Sequence, residues 1–380
     1  MKEILLQYYA KRNLGDDLFI KIFSEYFYDC KINLITNPKC LPKELGSNVR
    51  IHSFSLMTSA IGKIQRLIGW DNKITHKIEK MRKKWLQRLI DKNDAYVYIG
   101  GSIFMPKNVG KDEIPFQSDI EPVYEYASCL HGNGHFFVIG ANLGPIYDNG
   151  YIDGIREALM QYTHVCLRDW SSYSLVKDIQ HIQYAPDVIF LETYSKFEST
   201  CENVVISVID IARHCKDSAK IEAYYSLLCN TIEQFSLKQI PVTLVSFCCK
   251  EGDEQAIQKI MNMLHGDTSN VSVHCYEGDI CATLSVLSGA SFIIASRFHS
   301  MILGILYGKP VFPISYNSKT SNYLHDLKFE GKYATIATLT ETTVEDVMYN
   351  YEKQIITDCT LHRKYAKNQF YALRNFLDGK

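Results

Sequence analysis

The sequence has none of the short motifs that mark the common metal, nucleotide and serine-nucleophile sites. It contains no HExxH, no DxD and no His or Cys cluster at metal-ligand spacing, so we expect no metal. The Walker pattern and the GxGxxG of dinucleotide-binding folds are missing, and so is the GxSxG of serine hydrolases. We therefore expect no resident cofactor.

Long apolar runs are absent as well. No stretch reaches the roughly 18 apolar residues that a membrane-spanning helix needs. The first apolar run covers only residues 4–6 and is soon followed by Lys11 and Arg12, which is unlike a secretory signal. None of the 12 cysteines forms a CxxC pair, and scattered thiols of this kind are typical of reduced, buried cysteines. These features predict a cytoplasmic location.

The chain also lacks an excess of charge of one sign. It has 41 Lys and Arg against 42 Asp and Glu, which gives no field that would attract nucleic acid. Residues 54–92 depart from this balance, with ten Lys or Arg and three acids. The basic segment 63–92 has apolar residues among its cations, which suits peripheral contact with the inner face of the plasma membrane. A solvated helix packed on its own domain is the other interpretation, and both remain open.

Strand-like and helix-like segments alternate along the 380 residues, which is long for a single core. This alternation predicts an α/β fold with two Rossmann-like domains facing a central cleft, a GT-B-like architecture. The polar stretch 192–202 is the predicted linker. We assign residues 1–195 to an N-terminal domain, 196–350 to a C-terminal domain and 351–380 to a C-terminal helix.

The stretch 291–319 concentrates polar groups between apolar segments. Residues 292–295 and 311–314 have the length and composition of buried strands, and 300–307 has the spacing of a buried helix. In open α/β sheets, ligands bind in the crevice at the carboxyl ends of the strands. This strand–helix–strand unit is therefore the strongest candidate for a site in the C-terminal half.

Five residues of this unit are candidates. Ser296, Arg297 and His299 follow its first strand, and Ser300 would open the helix, whose amino end favours an anion. Lys319 follows the second strand in a predicted loop. An arginine that ends an apolar strand needs an anion or open solvent, whereas a histidine alone is more often a helix cap.

Polar residues also end the predicted strands of the N-terminal half. Each has a structural explanation: an acid at a helix start can be a cap, paired glycines can form a tight turn, and Arg168 could pair with Asp169 at the surface. Together, however, they would lie along one edge of a parallel sheet. They are Asp16, Gly100, Gly101, Ser102, Asn142, Arg168 and Asp187.

The cations and the imidazole indicate the chemistry of the ligand. Arg168 and Arg297 offer planar forks for carboxylate or phosphate, and Lys319 adds a point charge. His299 can donate or accept a proton near neutral pH. The four side chains predict a site for a small ligand with several negative charges.

Several short segments, taken in their order along the chain, resemble the polysaccharide pyruvyl transferases over nearly the whole length of the sequence. One departure is Trp170, which separates Arg168-Asp169 from Ser171 where the family often has the serine directly. The resembling pieces are Asn13-Leu14-Gly15-Asp16, Tyr98-Ile99-Gly100-Gly101-Ser102, Gly140-Ala141-Asn142-Leu143-Gly144-Pro145, Leu167-Arg168-Asp169, Ala185-Pro186-Asp187, Ser296-Arg297-Phe298-His299-Ser300, Gly308-Lys309-Pro310 and Tyr316-Asn317-Ser318-Lys319.

The resemblance implies transfer of pyruvate from phosphoenolpyruvate, without a metal, to a sugar of a bacterial surface polysaccharide (a capsule or exopolysaccharide) or its undecaprenyl-diphosphate-linked precursor. His299 would be the general acid, with Arg297 beside it, and Asp16 the base for the acceptor hydroxyl. The residues implied for each substrate are, for phosphoenolpyruvate, Arg168, Arg297, Lys319 and Ser296, and for the acceptor, Gly100, Gly101, Ser102 and Asn142.

Two other functions remain open at the level of sequence. One is a glycosyltransferase of the same architecture that uses a nucleotide sugar, although no acid for the ribose can be located in the C-terminal half. The other is a non-catalytic carbohydrate-binding member of a polysaccharide assembly, which would not need the set Arg168, Arg297, His299 and Lys319.

Overall fold

Two parallel β-sheets form the centres of two α/β domains, which confirms the predicted fold class. The computed structural model describes residues 1–54, 72–104, 134–144, 149–193, 202–265 and 268–380. The strands are β1 (Glu3–Gln7), β2 (Lys31–Ile35), β3 (Val49–His52), β4 (Ala95–Ile99), β5 (Phe136–Ala141), β6 (His164–Leu167), β7 (Ile182–Tyr184), β8 (Val204–Ser207), β9 (Val242–Ser246), β10 (Val271–Cys275), β11 (Phe292–Ala295), β12 (Val311–Ser315) and β13 (Ala334–Thr335).

The order of the strands determines where a ligand can bind. The N-terminal sheet has the order β3-β2-β1-β4-β5-β6-β7 and the C-terminal sheet the order β10-β9-β8-β11-β12-β13. The order reverses between β1 and β4 in one sheet and between β8 and β11 in the other, and ligands of doubly wound sheets bind at such switch points. The segments directly after β1, β4 and β11 carry Asp16, the residues Gly100, Gly101 and Ser102, and the residues Ser296, Arg297 and His299.

Helices cover both sheets. Many begin at a side chain that caps the first turn, as Asn13 does for α1 by accepting a hydrogen bond from the amide of Gly15 at 3.1 Å. The helices are α1 (Leu14–Tyr26), α2 (Asn72–Ile90), α3 (Asn149–Leu159), α4 (Trp170–Ser174), α5 (Ser218–Leu237), α6 (Asp253–Met263), α7 (Ile280–Ser288), α8 (Phe298–Leu306), α9 (Ser318–Asp326), α10 (Val344–Glu352), α11 (Thr360–Ala366) and α12 (Tyr371–Asp378).

One apolar core extends across both domains. Buried residues of α1, α7, α8 and the C-terminal helices belong to the same cluster, as Leu18, Leu284, Met301 and Leu373 show. The domains are also joined by a hydrogen bond from the amide of Leu14 to the carbonyl of Phe247 at 3.2 Å. The amino end of α1 is therefore held against the C-terminal domain.

The end of the chain returns to the N-terminal domain. Residues 351–380 do not form the single helix expected from the sequence, because the 3-10 turn Lys367–Phe370 separates α11 from α12. The side-chain amide of Gln369 in this turn accepts from the amide of Gly140 at 2.9 Å and donates to the carbonyl of Ala185 at 2.7 Å. These bonds fix the segment beneath the ends of β5 and β7.

The basic helix α2 packs on the N-terminal domain along one side. Leu86 and Ile90 are buried in the core that covers the outer face of the sheet, whereas Met81 is 39% exposed. Residues 63–71 of the predicted basic segment and 194–201 of the predicted linker lie outside the described ranges. No helix in the described part of the chain is both long and apolar enough to span a bilayer.

Candidate active site at the seam between the domains

The carboxyl ends of the two sheets bring side chains from both domains together. The N-terminal domain contributes the first turn of α1 and the loops after β4, β5 and β6, and the C-terminal domain contributes the starts of α8 and α9. The predicted residues that meet at this seam are Asp16, Gly101, Ser102, Asn142, Arg168, His299 and Lys319.

Arg168 is the most enclosed charge of the site and is 2% exposed. Its Nη1 donates to Oδ2 of Asp187 at 2.8 Å and its Nη2 to Oδ1 of Asn142 at 2.9 Å. The guanidinium lies 4.4 Å from the ring centre of Phe298 and fills the space beside Gly101, where a side chain would overlap it. A buried arginine with one carboxylate and an amide as partners keeps donor capacity for a ligand.

Asp169 does not pair with Arg168 at the surface, so that explanation of Arg168 is wrong. Instead Asp169 caps α4, accepting from the amide of Ser172 at 2.8 Å and from its hydroxyl at 2.8 Å. This cap begins α4 directly after Arg168.

His299 reaches the N-terminal domain from the first turn of α8. Its Nε2 lies 3.4 Å from Nη1 of Arg168 and 4.0 Å from Oδ2 of Asp187. The ring meets the edge of Phe19 and packs against Gly15, where any side chain would overlap it. Burial and the charges of Arg168 and Lys319 hold the pKa of His299 well below its usual value, so the imidazole is neutral in this structure.

Lys319 lies in the first turn of α9, so its prediction as a loop residue is wrong. Asn317 caps this helix by accepting from the amide of Thr320 at 3.3 Å, and Tyr323 and Leu324 bury its inner side. The Nζ of Lys319 lies 3.4 Å from the hydroxyl of Ser102, which belongs to the other domain. The helix therefore directs the cation across the seam.

Arg297 has a different environment from the one expected. Its Nε donates to Oδ2 of Asp253 at 3.0 Å, its Nη2 bonds the second oxygen of Asp253, and its Nη1 bonds Glu251. Burial alone would lower the pKa of Arg297, but the two carboxylates raise it. The fork that the sequence predicts to be open to an anion is thus occupied by carboxylates of its own domain.

Ser296 and Ser300 also differ from their predicted places. Ser296 accepts from the hydroxyl of Tyr224 at 3.0 Å and is buried inside the C-terminal domain, which does not favour a role in holding the donor. Ser300 does not open the helix, because α8 begins at Phe298 with Arg297 as the preceding cap residue. The helix starts two residues earlier than apolar spacing alone indicates.

Two carboxyl groups from opposite domains, Asp16 and Glu251, act on each other at the seam. Burial raises the pKa of Asp16, and the charge of Glu251 raises it further, to about 8. Burial also opposes the ionisation of Glu251, but Arg297 and Lys319 outweigh it and lower the pKa of this group. At neutral pH Asp16 is therefore protonated and Glu251 ionised, a separation typical of acid–base pairs.

The predicted acceptor residues lie beside the predicted donor cations. Gly101 and Asn142 contact Arg168, and Ser102 contacts both Lys319 and Asn142, the latter at 3.4 Å. Gly100 precedes them in a positive-φ conformation with φ of 155°. These residues line the cation pocket.

Asp187 and Glu251 also belong to the site, although the sequence predicted no role there for either. Asp187 bonds Arg168, and its own amide donates to the hydroxyl of Tyr323 at 2.9 Å, so it joins both domains. Burial raises the pKa of Asp187, and Arg168 opposes this rise. Its place after β7 is the same strand-end signal that identified Arg168. Glu251 lies in a 3-10 turn after β9 and carries no such signal.

An aromatic pair lies on the C-terminal side of the same cleft. The rings of His214 and Tyr316 have centres 4.3 Å apart and planes tilted by 38°, and burial and the charge of Arg297 lower the pKa of His214. Across the described ranges, no three His, Cys, Asp or Glu side chains converge as a metal site requires.

Comparison with known proteins agrees with this architecture. The family of polysaccharide pyruvyl transferases matches residues 13–318. Among solved structures, the chain is similar to a Methanocaldococcus jannaschii UDP-GlcNAc 2-epimerase in complex with UDP-GlcNAc and UDP, with 10% identity, a TM-score of 0.58 and full coverage of both chains.

Two further solved structures show the same fold. Acinetobacter baumannii MurG has 12% identity, a TM-score of 0.50 and full coverage of both chains. Anabaena HepE, in complex with UDP and glucose, has 9% identity, a TM-score of 0.54 and full coverage of both chains. These are GT-B fold proteins, and identities this low establish the fold alone. No protein of curated function gives a significant match.

Proposed function

The chain belongs to the polysaccharide pyruvyl transferase family, and we propose that it moves pyruvate from phosphoenolpyruvate to two hydroxyls of a sugar as a ketal, with release of phosphate. The observation that carries this proposal is the meeting of Arg168, His299 and Lys319 across the seam. Two cations and a neutral imidazole in a buried space suit a small donor that carries both a phosphate and a carboxylate.

Arg168 and Lys319 are the proposed donor-binding cations. Arg168 is fixed by Asp187 and Asn142, which orients its remaining N–H groups toward His299. Lys319 meets Ser102 at a long 3.4 Å and has further donors for a phosphate oxygen. Arg297, whose fork is occupied, instead holds Glu251 and supports the turn that carries His299.

His299 is the proposed general acid, and the donor itself would prepare it. Arg168 and Lys319 hold the imidazole neutral in the free protein. A bound phosphate and carboxylate would compensate those two charges, which raises the pKa of His299 and lets it take up a proton. The acid would then form only when the donor is present.

Asp16 is the proposed base for the acceptor hydroxyls. Its pKa of about 8 means that it ionises near the upper end of the physiological range, where a carboxylate becomes an effective proton acceptor. In the reaction, the methylene carbon of the donor gains a proton and the adjacent carbon gains bonds to two sugar oxygens. The bond from that carbon to the phosphate oxygen breaks. Of the two protons that the sugar hydroxyls lose, one accounts for the proton gained by the new methyl group, and the other is carried by the released phosphate.

The direct test incubates the protein with phosphoenolpyruvate and candidate sugar acceptors, with UDP- and GDP-sugars in parallel. We expect phosphate release and an acceptor whose mass increases by pyruvic acid less one water. Nucleotide release without phosphate from phosphoenolpyruvate would instead support a glycosyltransferase. If His299→Ala retains acceptor binding and full biological output, a non-catalytic role replaces the proposal.

We further propose that α2 brings the enzyme to the inner face of the plasma membrane, where a lipid-linked acceptor would be presented. The exposed side of this helix carries Lys80, Lys83, Lys84 and Arg88 with the partly exposed Met81, while its other side packs on the domain. Cations around an apolar residue suit anionic lipid headgroups.

Liposome co-sedimentation tests this surface. Vesicles rich in phosphatidylglycerol should retain the protein, and neutral vesicles should not. Changing Lys80, Lys83, Lys84 and Arg88 to Glu should abolish retention. A matched variant with Lys353, Arg363, Lys364 and Lys367 changed to Glu, all exposed in the C-terminal segment, should bind normally. Equal retention of the two variants would contradict the proposal.

A further inference from the structure

A group of exposed cations lies at the mouth of the cleft, outside the pocket described above. Lys11 and Arg12 follow β1, Lys39 lies in the 3-10 turn Pro38–Cys40, and Lys250 lies in the turn that ends with Glu251. Both domains thus contribute. Within the ranges that the structure describes, none of these four side chains forms an ion pair with a carboxylate, although the whole chain has a net charge of −1.

Their contacts place these cations together. Nη2 of Arg12 donates to the carbonyl of Lys39 at 2.6 Å, and Nζ of Lys250 donates to Sγ of the adjoining Cys40 at 3.0 Å. The thiol of Cys248 lies 3.9 Å from the carbonyl of Lys11. Arg12 also has a φ of 54°, a conformation that non-glycine residues rarely adopt, so the loop is held in an unusual shape at this place.

The cluster continues inward toward the reacting groups. Nζ of Lys11 lies 4.5 Å from the ring centre of Tyr9, and the charges of Asp16 and Glu251 both act on Tyr9. Lys11 also acts on Glu251, which directly follows Lys250 in sequence. Lys11, through its contact with Tyr9 and its charge effect on Glu251, therefore connects the group of cations with the carboxyl pair.

We propose that Lys11, Arg12, Lys39 and Lys250 bind the phosphate groups of a diphosphate-linked acceptor sugar and place its hydroxyls between Asp16 and Glu251. This inference rests on the proposed function, because it takes the inner pocket for the donor. It also replaces the acceptor surface predicted at Gly100, Gly101, Ser102 and Asn142. The carrier beyond the diphosphate is either a nucleoside or a lipid.

Calorimetric titration with inorganic pyrophosphate tests the site in the whole chain, with phosphoenolpyruvate present to occupy the inner pocket. Reversing two cations, Lys39→Glu with Lys250→Glu, should weaken pyrophosphate binding by about tenfold or more, since each change replaces attraction with repulsion. The matched double variant Lys353→Glu with Lys364→Glu should bind as the unchanged protein does. Added salt should weaken binding, because the cluster is exposed.

Two results would overturn the proposal. One is equal pyrophosphate affinity in the two double variants. The other is pyrophosphate binding that phosphoenolpyruvate displaces and Lys319→Ala abolishes, which would leave only the inner pocket. UDP and farnesyl diphosphate serve as further probes: tighter competition by either supports the site and identifies the carrier, and competition by neither contradicts it. Binding is measured without turnover, so a protein that fails to transfer pyruvate can still pass this test.

Discussion

Arg168 and Arg297 both follow buried strands and both lie beside His299, yet their surroundings differ in one decisive respect. Arg168 has one carboxylate partner and an amide, and its guanidinium points toward the imidazole of the other domain. Arg297 has two carboxylates of its own domain, which occupy its fork. The first arrangement balances one charge but keeps N–H groups available beside His299, with Lys319 as an additional cation, whereas the second has two carboxylates on one guanidinium. An arginine at a strand end therefore indicates a ligand only when its partners leave donors available.

The largest expected effect is a loss of stability when Arg297, whose fork is occupied by carboxylates, is removed. Arg297→Ala leaves Asp253 buried without its cation, so we expect a loss of about 3–5 kcal/mol in the free energy of unfolding. Urea denaturation followed by circular dichroism measures it. A triple variant, Arg297→Met with Glu251→Gln and Asp253→Asn, should recover much of the stability. If Arg297→Ala stays fully stable but loses donor binding, the two arginines have the same role.

The next largest effect is expected from a conservative substitution of Arg168. Arg168→Lys keeps the charge but loses the planar fork, so kcat/KM for phosphoenolpyruvate should fall by about 10²–10³-fold with little loss of stability. Steady-state phosphate release gives the first quantity, and the urea midpoint gives the second. The matched change Arg297→Lys should show the reverse pattern, and identical behaviour of the two lysine variants would remove the distinction.

Asp187→Asn should give a smaller effect, which distinguishes the orientation of Arg168 from the affinity for phosphoenolpyruvate. The amide keeps the shape of the carboxyl group but loses the charge that holds Arg168, so kcat should fall by about tenfold. Because a negative charge leaves the neighbourhood of an anion site, KM for phosphoenolpyruvate should not rise. A higher KM with unchanged kcat would show that Asp187 contributes to donor binding and has no part in positioning.

The smallest effect is a displacement of the pH profile. With Asp16 as base, kcat/KM should rise with pH through about 8, since the group is protonated below that value. Glu251→Gln removes a like charge that raises the pKa of Asp16, so the ascending limb should move to lower pH. Glu277→Gln, at an exposed position, should leave it in place. An unmoved limb in Glu251→Gln would exclude Asp16 as the titrating group.

Strand ends were predictable from the sequence because buried parallel strands read as short apolar runs. The runs at 164–167 and 292–295 coincide with β6 and β11, and the polar residues after them reach the seam. The short strands β3 and β13 were not predicted, because the exposed and intermediate residues of β3 and the two-residue length of β13 give no apolar run.

The ion-pair and hydrogen-bond partners of these side chains were not predictable, since they come from distant parts of the chain. Asp253 and Glu251 precede Arg297 by more than forty positions, and no local pattern links them to it. The same holds for the contact of Lys319 with Ser102 across the seam. The sequence therefore located the polar side chains that follow strands. It could not determine which of them have donors already occupied by carboxylates, and that difference decides their roles.

The return of the C-terminal segment to the N-terminal domain has a consequence for synthesis on the ribosome. Phe370 packs against Phe23 and Phe27, and Arg374 binds Asp29, so the α1 side of the N-terminal domain is completed by residues translated after both sheets. The C-terminal sheet is finished earlier, once β13 has emerged. Of the two domains, the one that is made first is therefore completed after the other, and its aromatic surface needs protection until the segment with Phe370 and Arg374 has emerged.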